Sequence, residues 1–156
     1  MMRKLTLLAY FILASLLTAG AQEVKNIILL IGDGMGQGAV KMQSLHLYGK
    51  PEISYFSYFP VSTLCTTYSS SSAVTDSAAA GTAMATGVKT YNGVLGLQAV
   101  ASGKHTEFKM LTSIAEKAHA KGMKIALVTQ DGLTGATPGA FYAHVRGRGE
   151  AAKIAR

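Results

Sequence analysis

The stretch Asn26-Ile27-Ile28-Leu29-Leu30-Ile31-Gly32-Asp33-Gly34-Met35-Gly36 decides the fold class. An unbroken apolar run that ends in glycines has the pattern of a strand buried on both faces, as in parallel sheets. The run begins at Val24 and delivers a carboxylate, Asp33, just beyond its end. Two later segments also read as strands, Val61–Tyr68, which is rich in β-branched residues, and Met123–Thr129. Helical patterns alternate with these runs. Gln37–Leu47 ends before Gly49-Lys50-Pro51, and Asp76–Thr86 is a helix of small residues closed by Gly87. Phe108–Ala120 sets Leu111, Ile114, Ala115 and Ala118 on one face, and Pro138–Val145 opens with proline in its first turn. Tyr91–Gly103, with turn chemistry at Asn92-Gly93, reads as a loop or hairpin. Strands alternating with helices predict an α/β fold, a mostly parallel sheet covered on both faces. Functional residues should then gather at the carboxyl ends of the strands. Asp33, Ser77 and the segment after Thr129 fall there by this reading.

At 49% hydrophobic and 15% charged residues the composition is that of a globular chain, not a disordered one. Residues 1–21 stand apart. Arg3 and Lys4 precede the apolar run Leu5–Leu17, and Ala19-Gly20-Ala21 has the small-x-small form of a signal-peptidase site. The mature chain, residues 22–156, is therefore expected to be exported, periplasmic or secreted. No stable membrane anchor is expected after cleavage, because the apolar run is short for a span. Formal charge is +7 before removal of Arg3 and Lys4. The basic residues are scattered without interleaved aromatics, which argues against a nucleic-acid partner. Cys65 is the single cysteine, so no internal disulfide can form, and its apolar neighbours predict a small core residue.

The stretch Val74-Thr75-Asp76-Ser77-Ala78-Ala79-Ala80-Gly81-Thr82 carries the chemistry. It sets a serine among residues too small to shield it, where a helix begins. Unpaired backbone N–H groups and the positive end of the helix dipole suit an anionic phosphate there. Each residue also has a plainer reading: Ser77 as a helix cap, and Asp33 as a turn residue between glycines. Gly34-Met35-Gly36-Gln37-Gly38-Ala39 fits the loose G-x-G-x-x-A dinucleotide fingerprint. The acid that the fingerprint expects is not well placed, since Glu52 stands beside Pro51. No phosphate-binding G-x-x-x-x-G-K loop and no G-x-S-x-G elbow is present.

Three blocks in order decide between these readings: Ile31-Gly32-Asp33-Gly34-Met35-Gly36, the Val74–Thr82 stretch, and Ala136-Thr137-Pro138 followed by Ala143-His144-Val145 and Arg148. Together they resemble the alkaline phosphatases, over Val24 to about Ala155. The resemblance implies a three-layer α/β/α fold, here incomplete, and a metal-dependent phosphomonoester hydrolase acting through a phosphoserine intermediate. It implies Ser77 as nucleophile and zinc-site oxygen, and Arg148 as the guanidinium that grips two phosphate oxygens. Asp33 would bridge the second zinc and the magnesium, Thr137 would supply a magnesium-site oxygen, and Asp76 would support the site. The implied cofactors are two Zn²⁺ and one Mg²⁺. The implied substrates are small phosphomonoesters, and a homodimer is compatible with the full-length relatives. The chemistry is coherent: bound zinc can acidify a serine hydroxyl, and a planar guanidinium matches phosphate in a bidentate way.

Two departures accompany the resemblance. Where the family has Asp or His near the magnesium, this chain has Gly135, and Asp131 could substitute only if its loop folds back, which is not expected. The family's further zinc ligands lie downstream of the arginine, so most ligands are absent. The chain is expected to be the N-terminal part of such a domain, inactive alone. His46, His119 and His144 match no zinc ligand and read as surface or structural residues; Arg146 reads as solvated. The alternatives are a related metal phosphodiesterase or sulfatase, and a non-catalytic remnant that binds phosphate weakly.

Overall fold

The computed structural model describes residues 25–51 and 55–156. The segment 1–21 expected to be a signal peptide, Val24 and Glu52 lie outside the described residues. The chain divides between Ile31 and Gly32. In the first unit, residues 25–31 adopt no regular structure, and Ile27, Ile28, Leu29 and Leu30 are exposed.

The second unit contains five α-helices and one hairpin among the described residues. Helix α1, Gln37–Tyr48, ends where Gly49 turns left-handed at φ 67°. Helix α2 is Ser77–Thr86, with Asp76 as its N-cap. The hairpin pairs β1, Leu97–Ser102, with β2, His105–Met110, in antiparallel register from Leu97↔Met110 to Ser102↔His105. Helix α3, Ile114–Ala120, follows, then the single-turn helices α4, Ala136–Gly139, and α5, Ala151–Ile154.

Several sequence expectations are corrected. Val61–Tyr68 and Met123–Thr129 pair with no described neighbour and form no ladder. A strand is stabilised only by the chain beside it. An apolar run without a neighbour solvates its backbone instead. Val61, Leu64 and Val128 are accordingly exposed, and so is Cys65, which is not a core residue. The hairpin turns at Gly103-Lys104, with Gly103 at φ 60°, rather than at Asn92-Gly93, which forms a separate turn. Helix α3 starts at Ile114 instead of Phe108. Ser113 and Glu116 form a reciprocal capping box there, while Phe108–Met110 is held in the hairpin ladder. The helix expected over Pro138–Val145 lasts one turn, because Val145 pairs in a bridge with Leu95.

The core is built largely of small residues. Ala78, Leu95, Ala136, Ala140, Ala143, Val145 and Ile154 form one buried cluster. Helix α2 lies against α4 because Gly81 has no side chain: a Cβ there would sit 2.9 Å from the Ala140 methyl and 3.5 Å from the Thr137 carbonyl oxygen. Thr82 ties α2 to the next segment, its Oγ1 donating to the Val94 carbonyl at 3.2 Å and accepting from the Gly96 N–H at 3.0 Å.

Gly96 is the tightest glycine of this core. It stands at φ 61°, and a Cβ on it would overlap the Ala143 carbonyl oxygen and approach His144 Nδ1 to 2.7 Å. Gly87 is also left-handed, at φ 77°, but has open space around it. Gly87→Ala should therefore cost only the backbone penalty, about 1 kcal/mol. Gly96→Ala adds overlap with backbone atoms and should cost about 3 kcal/mol or more. Urea unfolding of the two variants checks the difference; equal midpoints would contradict the packing at Gly96.

Candidate functional site

The site is assembled at the amino end of α2. Asp76 caps this helix: its Oδ1 accepts the Ala79 N–H at 2.9 Å. The cap leaves Ser77 as the first helical residue, half-buried, and the Ser77 and Ala78 N–H groups find no acceptor among the described residues. Ser77 Oγ donates to Asp33 Oδ1 at 3.0 Å, and Thr137 Oγ1 donates to Asp33 Oδ2 at 2.7 Å. One carboxylate from the Gly32-Asp33-Gly34 turn thus holds a hydroxyl from α2 and another from α4. The Thr137 hydroxyl, then the Ser77 hydroxyl, hold the Asp33 carboxyl below its ordinary value against a small effect of burial. Asp33 is therefore ionised throughout the neutral range.

Arg148 reaches the same corner through Asp76. Its Nη1 donates to Asp76 Oδ2 at 3.2 Å, and the Gly93 N–H donates to that oxygen at 3.0 Å. The backbone N–H of Arg148 donates to the Gly93 carbonyl at 2.7 Å. The guanidinium itself is exposed and also favours the charged form of Asp33. The structure therefore brings Asp33, Ser77 and Thr137 into direct contact and joins Arg148 to them through Asp76. Arg146, read as solvated, is exposed but lies over the Phe108 ring, 4.7 Å from its centroid.

His144 is less isolated than its sequence suggests. Its Nδ1 is 2.9 Å from the Gly96 carbonyl oxygen and its Nε2 is 3.0 Å from Glu116 Oε1. Burial disfavours the charged ring, yet the Gly96 carbonyl and the Glu116 carboxylate outweigh it and raise the histidine above its ordinary value. Burial likewise works against ionised Glu116, but the Ser113 N–H and His144 hold its carboxyl below the usual range. Sequence reading missed Glu116; the Ser113-x-x-Glu116 spacing was the available signal.

Asp131 corrects another expectation. Its loop does fold back: the Gly135 N–H donates to the Gly132 carbonyl at 2.7 Å, and the Asp131 carboxylate lies over the Gly135 Cα.

The metal question turns on the donor set. Asp33, Ser77 and Thr137 present one carboxylate and two hydroxyls, a hard all-oxygen set that suits Mg²⁺. A zinc site needs three or four protein ligands. No group of three or more His, Cys, Asp or Glu among the described residues could hold a metal ion, so these residues do not close a zinc site. No helix among them is long and apolar enough to cross a membrane.

Comparison with known proteins points one way. The family model described as alkaline phosphatase matches residues 24–155. The chain is 37% identical over 134 residues to alkaline phosphatase 4 of Drosophila melanogaster, covering 81% of this chain and 22% of that protein. It is 35% identical over 143 residues to alkaline phosphatase 4 of Bacillus subtilis, covering 85% and 29%. Among solved structures, the alkaline phosphatase of the Antarctic bacterium TAB5 superposes with a TM-score of 0.69 at 36% identity, covering 86% of this chain and 36% of that one. A variant of it with Mg bound in the M3 site gives 0.68 at 37% identity, covering 84% and 35%. The chain thus spans less than a third of the length of these two curated relatives.

The Asp131–Gly135 contact makes a specific prediction. Any side chain at Gly135 must displace the Asp131 carboxylate and would also stand 2.8 Å from the Gly132 carbonyl oxygen. Gly135→Ala should destabilise by about 1–3 kcal/mol. In Asp131→Ala the same change should cost less, since only the backbone overlap remains. A double-mutant cycle by urea unfolding measures the coupling; additive effects would show that the two positions do not share this space.

Proposed function

The chain belongs to the alkaline phosphatase family, and from that membership we propose that it is the N-terminal part of a metal-dependent phosphomonoester hydrolase whose nucleophile is Ser77. Its fold is the family's α/β fold, incomplete in this chain. The observation that carries the proposal is the Asp33 carboxylate shared by the Ser77 and Thr137 hydroxyls, with Arg148 tethered to the neighbouring Asp76.

The residues divide the work. Ser77 Oγ attacks the phosphorus of a small phosphomonoester; a new P–O bond forms as the bond to the leaving oxygen breaks, the proton released by the hydroxyl ends on the leaving alcohol, and water then cleaves the Ser77 ester to release phosphate and restore the hydroxyl. Asp33 keeps its charge, so it orients the Ser77 O–H rather than serving as a strong base. The Arg148 fork takes two phosphoryl oxygens, and the Ser77 and Ala78 N–H groups at the start of α2 face the same anion. Asp33 and Thr137 would help to hold the magnesium, and Asp33 and Ser77 would offer oxygen ligands to the second zinc, whose remaining ligands the described residues do not supply. When bound, the divalent ions supply the positive charge that makes the Ser77 hydroxyl acidic. Because the described residues do not close a zinc site, residues 22–156 alone should show no turnover. Export of the mature chain to the periplasm or the outside, directed by residues 1–21, and homodimer formation by the complete domain belong to the same proposal.

Two experiments in a complete-domain context test it. Ser77→Ala should abolish the acid-trapped phosphoenzyme and lower turnover by orders of magnitude; labelled phosphate mapped to another residue would refute the nucleophile. Arg148→Lys keeps the charge but loses the fork, and should weaken inhibition by inorganic phosphate about tenfold or more. An unchanged inhibition constant would remove Arg148 from the phosphate site.

A further inference from the structure

Arg148 stands between Gly147 and Gly149, so its own backbone has little intrinsic stiffness. Its place must be set from outside. Three contacts line the 143–148 segment against the 93–96 segment. At one end the Arg148 N–H meets the Gly93 carbonyl at 2.7 Å. In the middle Val145 and Leu95 exchange both backbone hydrogen bonds, at 2.9 Å and 3.0 Å. At the other end His144 is lodged between the Gly96 carbonyl and Glu116 of α3.

We propose that His144 is a positioning residue for Arg148: as a doubly donating imidazolium it fastens the 143–148 segment to the 93–96 segment and to α3, and so holds the guanidinium at the start of α2. The inference rests on the phosphate-binding role of Arg148 given above only for its functional consequence.

The Gly96 carbonyl can only accept, and ionised Glu116 can only accept. Both ring nitrogens must then carry hydrogen, which only the imidazolium provides; a neutral ring can serve one partner and abandons the other. The Gly96 carbonyl also takes the Leu111 N–H at 2.9 Å, and Glu116 Oε2 takes the Ser113 N–H at 2.7 Å. Ser113 Oγ in turn donates to the Phe141 carbonyl at 2.7 Å. The histidine is therefore the junction of the hairpin base, the α3 cap and the arginine segment.

The pH dependence has a definite sign. Glu116, from α3, is the charged group facing His144; the 95–97 segment presents only the Gly96 carbonyl, and no other charged group among the described residues contributes to the shift. The histidine's folded-state value is raised, so its contribution is complete below the ordinary 6.5 and is lost as pH rises through the folded value. The Glu116 value is lowered, so its contribution is complete above the ordinary 4.5 and is lost as pH falls through the folded value. The clamp is complete between those two ordinary values.

The test uses the full chain. Nitrogen NMR of the His144 ring reports its protonation. Amide exchange of the Arg148 N–H, corrected for intrinsic rate, reports the bond to Gly93. Between about pH 6 and about pH 9, across the histidine range, protection of Arg148 should fall about tenfold, the worth of one charge-assisted hydrogen bond. Its midpoint should coincide with the ring titration, and His144→Gln should flatten the profile. Protection that ignores the ring titration in the wild-type chain overturns the inference, even if the variant does not fold. So does a variant that keeps the wild-type profile. Inorganic phosphate, followed at the Arg148 guanidinium, separates the two readings. If protection tracks His144 but phosphate leaves the guanidinium unmoved, the positioning inference stands and the phosphate role of Arg148 falls.

Discussion

The Asp76 carboxylate is the interaction on which the rest of the site depends. One oxygen ends the unpaired run of N–H groups at the start of α2; the other holds both the Gly93 N–H and the Arg148 guanidinium. A single side chain thus fixes where the helix begins, where the 93–96 segment passes and where the arginine reaches. Its neighbour Ser77 inherits a defined position without making any of those bonds itself. Removing Asp76 would leave a helix end, a turn and a cation each short of a partner. Such losses do not add independently, because the three groups share one carboxylate.

Around that anchor the charges are arranged economically. Asp33 accepts two hydroxyls and feels Arg148, which keeps it anionic in an exposed place. The Ser77 hydroxyl is consequently oriented by a weak base. The arrangement suits a nucleophile awaiting an external source of acidity better than one activated by a neighbouring histidine.

Local signals were legible in the sequence; relational ones were not. Gly49 and Gly87 end helices where they were expected to, and Asp76 begins one. The joining of Asp33, Ser77 and Thr137 was legible only through the resemblance, since they are far apart along the chain. Strand character in Val61–Tyr68 and Met123–Thr129 was read from β-branched and apolar residues, but a ladder needs two segments side by side and neither has a described partner. The α3 start was misplaced because the apolar spacing runs back to Leu111, whereas the helix begins at the Ser113–Glu116 capping box, which was missed. The return of Asp131 over Gly135 depends on one backbone hydrogen bond that no residue pattern announces. Glu116 meets His144 across 28 positions, a pairing visible only once the hairpin base and α3 are in place.

The contact of Gly81 with Ala140 and the Thr137 carbonyl has a further consequence. Two of the hydroxyls at the site ride on helices that touch through a bare backbone and a methyl group. Such a joint has no rotamers to exchange, so the spacing of Ser77 and Thr137 has no soft adjustment. Warming or a distant substitution would have to move a whole helix to alter it. Engineering that seeks a wider or narrower site would have to change backbone length or helix placement, because at this joint the Ala140 methyl alone is left to trim.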